Sequence, residues 1–425
     1  MNRRVVVTGY GMITPLGRDT EETFDRASRG QSGIDFIRSF DTRNLPCRIG
    51  GQVDDAWLGE MDDRSERFFK FSSRGLRLMV KATLEATKQA RLGELSRRER
   101  IGVSLGFHGE SPAVEDVMFL HRFYDGKGGW DMKGLMSSGG YSYLNFLKRK
   151  PDVATTILPK IFDCKGPNFT VASACAAGSQ AVGEAYRVIQ EGKADVMVSG
   201  GSEAALNFMG FIGFVLIKAL VERYSTPAKA SRPFDRRRNG FVMSEGAGMV
   251  VLEELEHARS RGVPVLGEVM GYGASADAYR ITDTHPAGLG AVLAMRGALE
   301  DASLRPEDID YINAHGTSTA QNDATETKAI KEVFGTRAKE IPVSSNKSML
   351  GHTIAAAGAI ELILTLVGMS RSIILPTVNY EHPDPKCDLD YVPNEARTRD
   401  HRISLSNSFG FGGQNACLCV AREAG

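Results

Sequence analysis

An α/β fold is the prediction, and three features of the sequence make it. Short Val- and Ile-rich runs alternate with stretches of helical period along most of the chain. Hydrophobic residues make up 42% and charged residues 24%, a balance that buries a core and argues against disorder. The 425 residues are enough for two or three ordinary domains.

The elements follow in order. Residues 3–8 read as a strand closed by Gly9 and Gly11, 19–29 as a helix, and 72–89 as a stronger amphipathic helix. A strand is predicted over 101–105. From 107 to 150 the text turns to Gly, Tyr, Phe, Trp and Met without a clean period. This predicts an excursion with short helices, serving as a binding element or an interface. Order resumes with a strand over 169–173, a helix over 175–190, and strands over 195–199 and 249–253. Residues 259–264 are the expected seam between halves 1–260 and 261–425. Beyond it come a strand over 266–272, a helix over 289–302, a strand over 309–314, a helix over 324–334 and a strand over 341–344. An Ala-rich helix over 355–369 and strands over 403–407 and 416–421 finish the chain. Two duplicated halves would fit this alternation, but no internal repeat is legible.

The 52 basic and 52 acidic side chains give a formal net charge of zero. Binding to a phosphate backbone needs a basic excess or face, so nucleic acid is not an expected partner. The most apolar run, 355–369, carries Glu361 in its middle, which predicts a buried helix instead of a membrane span. The opening Met1-Asn2-Arg3-Arg4 precedes only Val5-Val6-Val7, too short a run for a secretory leader. Cys47, Cys164, Cys175, Cys387, Cys417 and Cys419 form neither a disulfide framework nor a metal pattern, so a reducing, cytoplasmic setting and no metal site are expected. Cys417 and Cys419 alternate on an apolar run, which predicts one buried strand face.

Four segments carry chemistry. Cys175 stands in Val171-Ala172-Ser173-Ala174-Cys175-Ala176-Ala177-Gly178-Ser179, where a strand becomes a helix. Free N–H groups and partial positive charge at a helix N-terminus favour thiolate, so a lowered pKa and an activated nucleophile are expected. A small buried cysteine in a tight turn is the plainer alternative. His315, in Asn313-Ala314-His315-Gly316-Thr317, and His352, in Lys347-Ser348-Met349-Leu350-Gly351-His352, each follow a predicted strand. Open α/β sheets place ligand chemistry at such strand ends. Gly410-Phe411-Gly412-Gly413 lies between two strands and lacks the Lys-Ser/Thr of a phosphate loop, so it fits an oxyanion-hole donor better.

Together these segments resemble the β-ketoacyl-acyl carrier protein synthases, most of all the KAS II (FabF-like) branch. Arg3-Arg4-Val5-Val6-Val7-Thr8-Gly9, Ser199-Gly200-Gly201-Ser202-Glu203-Ala204, Arg232-Pro233-Phe234-Asp235, Gly240-Phe241-Val242-Met243-Ser244-Glu245-Gly246 and Ser275-Ala276-Asp277-Ala278-Tyr279 extend the resemblance over nearly the whole chain. It implies a thiolase fold, two similar α/β halves in five layers, α-β-α-β-α. It implies that Cys175 takes an acyl group as a thioester from acyl carrier protein. Malonyl-carrier protein then loses CO₂, and its carbanion attacks that thioester. His315 and His352 would stabilise the enolate, supported by Lys347 and Glu361. The N–H groups of Cys175 and Phe411 would form the oxyanion hole, with Phe411 also a gate flanked by Phe409, Gly410 and Gly412. Thr317, Thr319 and, less directly, Thr282 would hold the pantetheine arm, and Phe214 would line the acyl pocket. No separate cofactor is implied, since substrates ride on the carrier's phosphopantetheine. A homodimer is carried over from the family. The family sometimes holds a monovalent cation near Asn313, Glu361, Ser406 and Asn407, which nothing in this sequence requires.

Departures bear on substrate. Gln414 and Asn346 replace the family's usual threonines, and Gly109 stands where a bulky apolar gate is usual, so a longer or wider acyl pocket is expected. The excursion is about ten residues longer than usual. An unusual acyl or polyketide primer follows as the expectation. Alternatives are a ketosynthase working beside a chain-length factor, a non-catalytic scaffold, and a Cys–His hydrolase. An acidic carrier protein needs a local basic patch, for which Arg236-Arg237-Arg238, Lys218 and Lys148-Arg149-Lys150 are candidates.

Overall fold

The ladder of strands reads the same from both edges. In the computed structural model, which describes residues 3–59 and 63–422, ten strands share it. The first five are β1 (Val5–Ile13), β2 (Ile101–Gly106), β3 (Asn168–Val171), β4 (Val196–Glu203) and β5 (Gly246–Glu254). The next five are β6 (Gly267–Ala276), β7 (Tyr311–Asn313), β8 (Val343–Ser344), β9 (Ile403–Phe409) and β10 (Gln414–Ala421). Their spatial order is β3-β2-β4-β5-β1-β6-β10-β9-β7-β8. From either edge, two parallel pairings are followed by two antiparallel ones. The two sets meet where Val5–Val7 pairs with Val269–Gly267.

Helices complete the layers. Outer helices α1 (Arg74–Gln89) and α2 (Val153–Phe162) cover the first five strands. Central helix α3 (Ala177–Gln190) follows β3. Outer helices α4 (Leu289–Asp301) and α5 (Ala320–Phe334) cover the second set, and central helix α6 (Ala357–Arg371) follows β8. Helices α3 and α6 touch each other and strands of both sets. This is the expected α-β-α-β-α stack. The helical stretch Ile354–Arg371 is long and apolar enough to cross a membrane, yet 89% of it is buried in the fold, as a core helix.

Gly9 and Gly11 do not end the first strand; β1 runs through them. A side chain at either would lie 2.1 or 2.3 Å from a carbonyl oxygen of α1, that of Ala86 or Ala82. Glycine lets the helix lie directly on the strand. In β6, Gly271 and Gly273 do the same against Ala298 and Ala294 of α4, at 2.3 and 2.0 Å. Val7-Thr8-Gly9-Tyr10-Gly11 and Val269-Met270-Gly271-Tyr272-Gly273 are therefore an internal repeat that the sequence reading overlooked.

Several helices also escaped it, two of them of nine residues or more. Helix α2 has its apolar residues at helical spacing, 153, 154, 157, 158 and 161, but holds Pro159, and the helix Phe208–Leu216 is apolar all round with glycines and so shows no clean period. The excursion has three short helices, Val114–His121, Met132–Ser138 and Tyr143–Leu147. It exposes Trp130, Met136, Tyr143 and Phe146. The expected seam at 259–264 falls at the end of a short helix, Leu255–Ser260, and in the loop after it. Met1 and Asn2, in the opening read for a leader, lie outside the described residues.

Candidate active site

Beyond β3 the chain makes a single 3-10 turn, Ala174–Ala176, and enters α3. Ala174 has φ +48, a left-handed value unusual for a residue with a side chain. The turn holds because small residues let everything close on it. A side chain at Gly106 would lie 2.6 Å from the Ala177 carbonyl carbon, and one at Gly178 2.7 Å from the Ala355 oxygen. Cys175 is buried at this strand-to-helix junction, where the sequence placed it.

The two histidines reach the sulfur by different routes. His315 lies two residues beyond β7. His352 does not directly follow β8, because a one-turn helix, Lys347–Leu350, intervenes. The expectation of equivalent local settings therefore fails, but the side chains converge. His352 Nε2 is 3.0 Å from Cys175 Sγ, and one ring nitrogen from each histidine lies with that sulfur inside a 4.8 Å cluster. The rings are 5.3 Å apart and nearly perpendicular. The Ile354 N–H donates to His352 Nδ1 at 3.3 Å. In the neutral ring this leaves the proton on Nε2, which then donates toward the sulfur. Burial and the Lys347 charge hold the pKa of both imidazoles well below its usual value.

Charge behind the imidazoles is paired. Lys347 Nζ meets Glu361 Oε1 at 2.5 Å, with both residues buried. Burial pushes Glu361 up to about 7, against the opposing pull of Lys347. Glu326, on α5, accepts the backbone N–H groups of His315 and Gly316 at 2.8 Å each, and burial pushes it up to about 7 as well. The sequence reading missed Glu326. Its signal was an acid on a buried stripe, since Asp323, Glu326, Thr327 and Ile330 share the inner face of α5.

The thiol differs from expectation. Burial pushes Cys175 up to about 11, although the Phe411 and Cys175 N–H groups and Lys347 pull the other way. The helix N-terminus is outweighed because the sulfur sits wholly out of water, which favours the neutral form. The hairpin loop between β9 and β10 brings those donors in. Gly412 and Gly413 have φ of +92 and +80, and a side chain at Gly410 would lie 3.2 Å from the Cys175 nitrogen. The loop backbone thus closes on the nucleophile turn.

A cavity of about 60 Å³ reaches the cluster and is walled by Thr282, Thr317, Thr319, Phe409, Gly410 and Phe411. The structure therefore gathers all three threonines, with the Thr317 and Thr319 hydroxyls 3.0 Å apart. It adds Phe241, Thr284, Gln321 and Asn322 to the walls, none of which the sequence reading assigned there. Phe214 packs on Phe241 and Phe411 with ring centres 5.6 and 6.3 Å apart. It also lines a second cavity of about 480 Å³, together with Gly109.

Gly109 does not open that cavity in the way expected. It has φ +78, and a side chain there would lie 2.2 Å from the Arg149 carbonyl oxygen. The returning end of the excursion fills the space of the missing gate. The basic triplet is also divided, because Arg238 is buried and pairs with Asp384 at 2.6 Å, leaving Arg236 and Arg237 exposed. Arg149 is paired with Asp116 at 3.1 Å.

Asn313 Oδ1, Glu361 Oε2, Ser406 Oγ and Asn407 Oδ1 are buried without a hydrogen-bond partner among the described residues. These oxygens fit a hard monovalent cation of the kind the family sometimes holds. All six cysteines are free and buried, including Cys417 and Cys419 on β10.

Known proteins share this architecture over its full length. Residues 2–258 match the family described as Beta-ketoacyl synthase, N-terminal domain, and residues 266–381 match Beta-ketoacyl synthase, C-terminal domain. The chain is 42% identical to 3-oxoacyl-[acyl-carrier-protein] synthase 2 of Synechocystis, over 99% of this chain and 98% of that one. A β-ketoacyl synthase from Burkholderia phymatum superposes with a TM-score of 0.87 at 32% identity, covering 99% and 100% of the two chains. A ketosynthase of a type II polyketide system, solved with its acyl-carrier protein and bound to the hexaketide, gives 0.86 at 32% identity with 100% of each chain covered. With a duplicated α/β ladder whose central turns bring one cysteine to two histidines, and with these matches over nearly its whole length, this chain belongs to the β-ketoacyl synthase family.

Proposed function

We propose that the chain elongates acyl groups by decarboxylative condensation, with Cys175 as the acyl carrier. The observation behind this reading is a buried sulfur facing His352 Nε2 at 3.0 Å, within the 4.8 Å cluster that includes His315. Acyl transfer forms the bond between Sγ and the acyl carbon and breaks the carrier's thioester, and the thiol proton ends on the departing pantetheine thiol. The N–H groups of Cys175 and Phe411 hold the oxyanion of the tetrahedral intermediate. Malonyl thioester then loses CO₂, and its enolate oxygen takes hydrogen bonds from the neutral His315 and His352. The enolate carbon attacks the Cys175 thioester, and sulfur leaves from a product two carbons longer. The reaction needs no cofactor of the protein's own.

The threonine-walled cavity is the pantetheine path, and an acyl carrier protein is the partner. Exposed Lys218, Arg236 and Arg237 are the docking candidates. The exposed aromatics of the excursion support a homodimer interface, the six free cysteines support a cytoplasmic setting, and residues 1–260 and 261–425 are read as the two thiolase-like halves of each chain. A partner-dependent ketosynthase is the less favoured reading, since the 42%-identical relative is a 3-oxoacyl synthase 2. Fatty acids are therefore the expected chain class. Light scattering on the purified chain should give a dimer mass.

Intact-mass measurement tests the chemistry. Incubation with acyl-carrier protein should leave one acyl adduct, absent in Cys175→Ala and discharged only when malonyl-carrier protein is added. Rapid release of free acid without malonyl-carrier protein would reject condensation.

A further inference from the structure

The cavity beside the thiol is about 60 Å³ and the second one about 480 Å³. Cys175 and Phe411 line the first, Phe214 and Ile354 the second, and the Phe214 and Phe411 rings meet with centres 6.3 Å apart. A long chain on the sulfur outgrows the first cavity, and the Phe411 ring bars its way to the second. Loading of long chains therefore depends on what holds Phe411 in place. Its loop is fastened at both ends. The Gly410 N–H donates to the Gln414 carbonyl at 2.7 Å, and the Gly413 N–H donates to the Gly410 carbonyl at 3.0 Å. The Gly413 carbonyl accepts the Asp277 N–H at 2.8 Å and Asn415 Nδ2 at 3.1 Å. The middle is different, since among the described residues no backbone–backbone hydrogen bond holds Phe411 or Gly412. There the Gln414 side chain folds back over the turn. A side chain at Gly412 would lie 2.8, 3.2 and 3.4 Å from its Oε1, Nε2 and Cδ.

We infer that Gln414 sets how readily Phe411 yields, and so how well long chains are loaded. The inference rests on the condensation reading above and specifies its control of chain length. Gln414 is a positioning residue that acts through the loop. Its Oε1 is buried without a hydrogen-bond partner among the described residues, so the hold on Gly412 is one of packing. For the Phe411 ring to swing aside, the backbone at Gly412 must lift off the amide and lose that contact, which slows entry as a loop gate does. Gly412 and Gly413, at φ +92 and +80, supply the hinge. Threonine, the family's usual residue at this position, ends at its γ atoms and does not reach Gly412. Methionine matches glutamine in length and keeps the contact without the amide.

The test is single-turnover loading of Cys175 from carrier proteins bearing either acetyl or long saturated acyl groups, read by intact mass. Gln414→Thr and Gln414→Ala should each raise the long-chain rate about three- to tenfold, with acetyl loading changed by less than about twofold. Gln414→Met should keep the wild-type ratio of the two rates. Three variants of different size keep the comparison open if one of them folds poorly. An unchanged ratio in folded Gln414→Thr and Gln414→Ala proteins overturns the inference and leaves condensation intact. Equal losses for acetyl and long chains would mean that Gln414 only aims the Phe411 N–H at the thioester, which overturns it as well. A Gln414→Met protein with the threonine ratio overturns packing as the cause. No adduct with any chain would instead overturn the condensation reading and this inference with it.

Discussion

The nucleophile turn and its counterpart in the second set of strands are built alike and equipped differently. Each leads into a central helix through one 3-10 turn, Ala174–Ala176 before α3 and Ile354–Ala356 before α6. Each begins on a left-handed residue, Ala174 at φ +48 and Ile354 at φ +43. The sequences align as Ser173-Ala174-Cys175-Ala176-Ala177-Gly178 and Thr353-Ile354-Ala355-Ala356-Ala357-Gly358. The two turns touch, since a side chain at Gly178 would strike Ala355 and one at Gly358 would strike Ser179. Only the first has a cysteine, and only the second is preceded by Lys347 and His352. Duplication supplies two opposed helix starts, and divergence gives one the sulfur and the other the imidazole and charge.

The largest expected effect comes from making the turns alike. Cys175→Ala should cut condensation by about a thousandfold or more, with the acyl adduct lost. Its thermal midpoint should barely move, because Ala355 shows that this turn accepts alanine. A large loss of stability would mean that the sulfur, not the turn geometry, holds the two halves together.

Stripping the second turn of its charge comes next. Lys347→Met should lower the condensation rate by about a hundredfold, more than it lowers Cys175 acylation in single-turnover assays. It also leaves Glu361 buried without its cation, which costs about 3–5 kcal/mol of stability in denaturant titration. The double change Lys347→Met with Glu361→Leu should recover most of that stability but none of the activity. Recovery of activity would show the pair to be structural only. A smaller effect is expected where the turns touch. Gly178→Ala would place a methyl group 2.7 Å from the Ala355 oxygen, and should cost about 1–3 kcal/mol by overpacking.

Much of this comparison was legible in the sequence, and the reasons for the rest are specific. Cys175, His315 and the hairpin loop were readable because each lies at the end of a strand of clear period. His352 was found by motif but misplaced locally, because a four-residue helix is too short to show a period. The duplication went unseen because its matches are short and mostly glycines and alanines, which report backbone contacts and not side-chain patterns. Glu326 was hidden because its partners are backbone N–H groups. Gly109 was read as missing bulk, while the Arg149 carbonyl that occupies the space comes from forty residues away. The second cavity is assembled from three separate segments, around residues 108–111, 203–214 and 354.

The smallest expected effect concerns the resting thiol, where the two accounts of Cys175 part most clearly. The helix N-terminus argues for thiolate at neutral pH, whereas burial pushes the thiol up to about 11. A raised pKa means that the reactive form grows as pH rises. Alkylation of Cys175 by iodoacetamide, followed by intact mass, should therefore speed up about tenfold per pH unit between 7 and 10 without levelling off. Lys347→Met removes a cation that favours thiolate, so it should slow alkylation at pH 9 by a few-fold. A plateau below pH 8 would restore the helix-terminus account. The steep profile would instead mean that thiolate character appears only as the thioester arrives, when the Cys175 and Phe411 N–H groups and His352 Nε2 already surround the reacting atoms.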